Sequence, residues 1–168
     1  MSFGYSCCVV TAGLLALPLL SHREKTVLPK PIPVTQPQTP SAVVAQPDPR
    51  AARLSRFLAK LHCPVANLAN EFVAVADKNH LDWRLLPSIS IIESGGGKAF
   101  RNNNIFGWGK GDLKFSSIKA GLQEVASKLS RGARYKNRDS VGKLHVYNPD
   151  EEYAARVIDV MNRISPES

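Results

Sequence analysis

One carboxylate, set between an apolar helical run and three glycines, is the group in this chain best placed to do chemistry. Residues 82–108 read Asp-Trp-Arg-Leu-Leu-Pro-Ser-Ile-Ser-Ile-Ile-Glu-Ser-Gly-Gly-Gly-Lys-Ala-Phe-Arg-Asn-Asn-Asn-Ile-Phe-Gly-Trp. Asp82 suits a helix N-cap, and Leu85, Leu86, Ile89 and Ile92 recur at helical spacing. The run closes on Glu93 and then on Gly95, Gly96 and Gly97. Glycine enters the left-handed region cheaply and is the usual helix stop. Glu93 therefore falls in the last turn, on the face that Leu86 and Ile89 bury. Burial disfavours the charged form, so a raised pKa is expected. A carboxylic acid still protonated near neutral pH can donate a proton. The plainer alternative is an ordinary glutamate at a helix end. There it opposes the helix dipole, a small hint that something else retains it.

The elements that must position Glu93 follow from periodicity. Leu54, Phe57, Leu58 and Leu61 mark a first amphipathic helix that stops before Pro64. Val65, Leu68, Phe72, Val75 and Ala76 mark a second, ending near Asn79. The Glu93 helix is third, with Pro87 early enough to remove at most one backbone bond. Residues 95–116 carry no sustained period; their glycines and aromatic residues predict a loop or short hairpin. A fourth helix is expected over about 117–130, a short one near Ser140 to Val146, and a last one from about Asp150 to Ile164. The last begins Asn-Pro-Asp-Glu-Glu, which places acids at the positive end of its dipole. Tyr153, Val157, Ile158, Met161 and Ile164 face inward from it.

Composition narrows the classes. The chain has 168 residues and a formal charge of +8, of which residues 51–168 hold 18 Lys+Arg against 12 Asp+Glu. That surplus favours a polyanionic partner and does not choose among nucleic acid, anionic lipid and anionic cell wall. No Lys/Arg block is dense enough to define a nucleic-acid stripe, and none is expected as partner. The cluster Arg131, Arg134, Lys136 and Arg138 reads as a solvated loop. Cys7 and Cys8 lie in an apolar stretch, which leaves Cys63 alone in the domain and no disulfide framework. Cys63 beside His62 offers two ligands, too few for a metal, and reads as a buried thiol near a helix end. There is no phosphate-binding glycine loop and no internal repeat, and no cofactor or metal is expected.

Cys7 to Leu20 is almost wholly apolar and too short for a comfortable span, so residues 1–24 fit a secretory signal or a short membrane anchor. No Lys or Arg precedes the run, no clean Ala-x-Ala site follows it, and Arg23 and Lys25 lie after it. Residues 25–50 form a proline-rich linker; seven of the twelve prolines fall in 28–49, which makes an extended spacer. The compact domain is expected over 51–168. Export to the periplasm or cell envelope follows, with the N-terminal segment able to contact the membrane.

Glu93-Ser-Gly-Gly-Gly, then Asn103-Asn104-Ile105-Phe106-Gly107-Trp108, resembles the core of lysozyme-like peptidoglycan hydrolases, in particular the bacterial glucosaminidase group, glycoside hydrolase family 73. Phe115-Ser116-Ser117-Ile118 and Tyr147-Asn148-Pro149 with Tyr153-Ala154 and Val157 resemble that group in the same order. The resemblance covers roughly residues 65–165. It implies a mainly α, lysozyme-like α+β fold, with a helical lobe and a small loop or hairpin lobe enclosing a cleft. It implies a monomeric enzyme that cuts β-1,4 bonds of peptidoglycan glycan strands, with Glu93 as general acid. Asn104, Phe106 and Trp108 would line the cleft, with Tyr147 facing them. Aromatic rings pack on sugar faces and amides bond hydroxyl and N-acetyl groups. Core packing of a small lobe is the rival reading for Phe106.

Glycoside hydrolysis usually employs two carboxylates. Asp112, in the glycine-rich loop, is the candidate for the second, with a turn residue as its plain alternative. Glu124 reads as a solvated helix face. The group resembled does not reliably fix the second carboxylate, so assistance from the substrate's own N-acetyl group stays open. So does a lytic transglycosylase, although the glutamine-containing motif typical of many of those enzymes is absent after Glu93. A non-catalytic wall-binding module is the alternative of another class.

Overall fold

The computed structural model describes residues 48–166. The expected signal or anchor, residues 1–24, and nearly all of the linker lie outside the described residues. Among those described, six α-helices and a 3₁₀ turn form and no strand does. No helix among them is long and apolar enough to cross a membrane.

The first helix, α1, spans Pro49–Lys60. It takes in two residues assigned to the linker, because Pro49 stands where a missing N–H costs nothing and Asp48 caps the helix from outside. The Asp48 carboxylate accepts the Arg50 N–H at 2.8 Å. The Arg50 guanidinium bridges Asp48 and Asp77, each at 2.7 Å. The second helix was expected from Val65; instead Pro64–Leu68 winds as a 3₁₀ turn and α2 spans Ala69–Lys78. α3 spans Leu85–Ser94, starting three residues after the expected cap. Asp82 is occupied with the Arg84 N–H at 2.8 Å and the Arg84 guanidinium at 2.5–3.2 Å, which makes a turn ahead of the helix. α4 spans Ile118–Arg131, α5 Ser140–Tyr147 and α6 Glu151–Ile164, capped by Ser117, Asp139 and Asp150.

Leu54 and Leu58 of α1, Phe72 of α2, Leu86 and Ile89 of α3, Leu122 and Val125 of α4, and Val157 and Met161 of α6 meet in one core. Each such side chain contributes about 1.5–3 kcal/mol by leaving water. α3 and α6 pack antiparallel along their length. At one end the buried Arg84 guanidinium donates to the Ser165 carbonyl at 2.6 Å. At the other the Tyr153 hydroxyl meets Glu93.

Of the loop or short hairpin expected after α3, the loop forms. Residues 95–117 remain irregular, because positive φ at Asn102, Asn103, Gly107, Gly109, Lys110 and Gly111 breaks every extended run. Side chain to backbone bonds hold the segment instead. Cys63 is buried just beyond α1, as expected, against Gly96, where an added Cβ would lie 2.4 Å from its sulfur. Glu124 is exposed and pairs with Lys128 at 3.6 Å.

Candidate active site

α3 delivers Glu93 in its last turn, and Gly95 ends the helix in the left-handed conformation at φ 63°. Ser94 ties this end to the loop: its hydroxyl lies 2.8 Å from the Ile105 carbonyl and 2.9 Å from the Ser90 carbonyl, and accepts the Gly97 N–H at 3.1 Å. The loop is thereby drawn over the acid. Gly107, at φ +61°, packs directly on it; a Cβ there would lie 2.4 Å from Glu93 Oε2. Only glycine fits.

Glu93 is half-buried. Its Oε1 accepts the Tyr153 hydroxyl at 2.7 Å. Its Oε2 takes no hydrogen bond from the described residues and is not sealed from solvent. Burial raises the pKa of Glu93 above the usual carboxylate range, and the Tyr153 bond, which favours the ionised form, offsets only part of that. No second carboxylate acts on it among the described residues. Burial, the negative charge on Glu93 and the neighbouring Tyr135 push the Tyr147 phenol up. Tyr153 is raised too, by burial first and then by its neighbours Tyr147 and Glu93. Both phenols are donors, not anions, at any ordinary pH.

From Tyr153 a chain of rings leads outward. Tyr147 stacks on Tyr153 at 5.8 Å, Trp108 tilts against Tyr147 at 5.3 Å, and Tyr135 follows at 5.9 Å. Trp108, Tyr135 and Tyr147 are half-buried. With Gly107, Gly109 and Lys110 they line a cavity of about 300 Å³. Gly107 is common to both: one residue covers the carboxyl and forms part of the cavity wall. The Tyr147 hydroxyl donates to the Phe106 carbonyl and so fixes this wall to α5. A larger cavity, of about 520 Å³, opens between the 3₁₀ turn and the start of α4, and its lining includes neither Glu93 nor these rings.

Of the residues singled out from sequence, Trp108 and Tyr147 line this cavity, whereas Glu93 is not in its lining and adjoins it through Gly107 and Tyr153. Asn104 and Phe106 do not line the cavity. Asn104 is 4 % exposed, and its amide donates to the carbonyls of Trp108 at 2.8 Å and Leu113 at 3.2 Å while accepting the Trp108 N–H at 3.0 Å. It staples the loop, and its burial keeps it from the cavity. Phe106 is fully buried in the core. Asp112 is a turn residue: its side chain is 75 % exposed and pairs with Arg101 at 2.5 Å, with no link to Glu93. Gly107, Tyr135 and Tyr153 were missed as site residues. Tyr153 carried a signal, since a tyrosine on a buried helix face needs a partner for its hydroxyl.

The arrangement can do proton transfer beside a small ring-lined cavity. The Tyr153 phenol holds one oxygen of a half-buried carboxyl, and the other takes no hydrogen bond from the described residues. No protein-family model matches this chain, and comparison with curated proteins and with solved structures found no match.

Proposed function

We propose that this chain is an exported peptidoglycan hydrolase that cleaves β-1,4 bonds of the glycan strand, with Glu93 as the general acid on a lysozyme-like fold. One observation carries the reading: Glu93 is half-buried and tethered through Oε1, while Oε2 has no hydrogen-bond donor among the described residues and lies against Gly107, which also walls the Trp108–Tyr135–Tyr147 cavity. In this reading a sugar ring stacks on the rings and Glu93 protonates the departing glycosidic oxygen. The raised pKa keeps more of the acid form available at neutral pH. The enzyme works as a monomer in the periplasm or cell envelope. The motif resemblance of Glu93-Ser-Gly-Gly-Gly and Asn104-Ile-Phe-Gly to the glucosaminidase group supports the same substrate.

With Asp112 paired elsewhere, the reaction rests on one glutamate. That favours either assistance by the substrate's N-acetyl group or a transglycosylase ending in an anhydro product. The test is turbidity clearing of purified cell wall by the parent and by Glu93→Gln. A loss of about 10²–10⁴-fold is expected, the usual worth of a positioned acid. Equal clearing by both removes Glu93 from the chemistry. Binding without clearing by the parent makes the chain a wall-binding module. Mass spectrometry of the released muropeptides separates reducing from anhydro ends.

A further inference from the structure

Charge is unevenly placed along this domain. Residues 98–143 hold eleven Lys+Arg and three Asp+Glu, a net of +8, whereas the rest of 51–168 holds seven and nine, a net of −2. The aromatic cavity is built largely from the basic stretch, which supplies Trp108, Lys110 and Tyr135. Its few acids are already engaged. Asp112 holds Arg101, Glu124 holds Lys128, and Asp139 accepts the Gly142 N–H at 2.7 Å as the cap of α5. Arg131, Arg134, Lys136 and Arg138, all exposed, and the exposed Lys110 pair with no carboxylate among the described residues.

The backbone that carries these cations is itself held in turns. The Arg138 guanidinium donates to the Arg134 carbonyl at 2.9 Å, and the Lys143 ammonium to the Arg138 carbonyl. Backbone bonds from Tyr135 and Lys136 to the Gly132 carbonyl, at 2.8 and 2.9 Å, wind the segment into turns. Tyr135 sits in the middle of this run and faces the cavity, and the Arg134 charge reaches its phenol. So the Lys110 ammonium lines the cavity and the Arg134 charge stands beside its Tyr135 wall.

We propose that Lys110, in the cavity wall, and Arg134, beside Tyr135, form an anion-recognition rim for the sugar cavity, selecting glycans that carry carboxylates next to the stacked ring. This rests on the function proposed above and adds the ligand's charge as a determinant. A neutral β-1,4 glycan would fill the cavity and leave the rim unused. Two exposed cations act together here, each weakly and each screened by salt.

The experiment measures binding to the full chain carrying Glu93→Gln, so that the ligand survives. The probes are a GlcNAc–MurNAc tetrasaccharide with free lactyl carboxylates and the same tetrasaccharide with those groups amidated. The free acid is expected to bind roughly fivefold tighter, with the advantage shrinking as salt is raised. Adding Lys110→Gln and Arg134→Gln, both exposed, removes the advantage, lowering affinity for the free acid more than for the amide. Equal affinity for acid and amide overturns the rim. So does salt-steep binding to duplex DNA or phosphatidylglycerol vesicles that exceeds binding to the free acid. Wall clearing by the parent separates this from the function itself. Clearing with no carboxylate preference overturns the rim alone; a carboxylate preference with no clearing overturns the catalytic reading alone.

Discussion

The helical frame and the irregular segment 95–117 are held together by different forces. The frame rests on apolar burial: Leu54, Phe72, Ile89 and Val157 are fully enclosed and would tolerate a polar neighbour poorly. The segment rests on a few polar side chains bonded to backbone. Asn104 serves three backbone groups, Asn103 donates to the Phe115 carbonyl at 2.9 Å, and Ser94 and Tyr147 pin it from outside. Burial is spread over many contacts and fails gradually. A staple concentrates its effect in one side chain, so a single truncation can release a whole stretch of loop while the helices stand.

This contrast can be broken by mutation. The largest effect is expected for Phe72→Ala, which should lower global stability by about 3–5 kcal/mol and speed amide exchange in all the core helices. Asn104→Ala strands the Trp108 N–H and the Leu113 carbonyl, while the Trp108 carbonyl keeps the Gly111 N–H at 3.2 Å. It should cost about 1–3 kcal/mol, and exchange should quicken over residues 104–113 alone. Equal quickening in α1 and α2 would erase the distinction between frame and staple. Gly107→Ala forces a left-handed backbone on alanine, at about 1–2 kcal/mol, and drives a methyl group against the carboxyl. Loss of wall clearing should exceed what its melting temperature implies; a variant as active as the parent would detach the loop from the acid.

The smallest effect concerns the carboxyl itself. Burial holds its folded pKa above the unfolded value of about 4.3. The protonated form is therefore favoured on folding, a contribution complete below the unfolded pKa and lost as pH rises through the folded one. Glu93→Gln keeps an oxygen for the Tyr153 hydroxyl and removes the penalty. It should melt roughly 1–3 °C above the parent at neutral pH and equally with it at pH values below both pKa values. A gap that stayed constant with pH would show that ionisation plays no part. Clearing by the parent should likewise decline as pH rises through the folded pKa.

Much of the frame was legible in the sequence, because period 3.6 records which face a helix buries. α4, α5 and α6 begin and end within a residue or two of expectation. Boundaries slipped where a side chain competed with the helix, as Asp82 does by bonding Arg84, or where Pro64 opened a 3₁₀ turn. Glu93 was legible from its place between Ile92 and the glycines. The loop was not. An asparagine that staples backbone and one that binds a sugar have the same composition around them, and only the folded chain shows that Asn104 is buried on backbone partners. Tyr135 was hidden by its basic neighbours, which made the whole turn read as solvated surface.

The two latches at the ends of α3 and α6 bear on how a ligand could arrive. Arg84 on the Ser165 carbonyl closes one end, and Tyr153 on Glu93 closes the other. A pair of rods bolted at both tips cannot scissor. On the function proposed here the acid would keep its station, and the glycine-bearing flap that rests on it would be the part that yields.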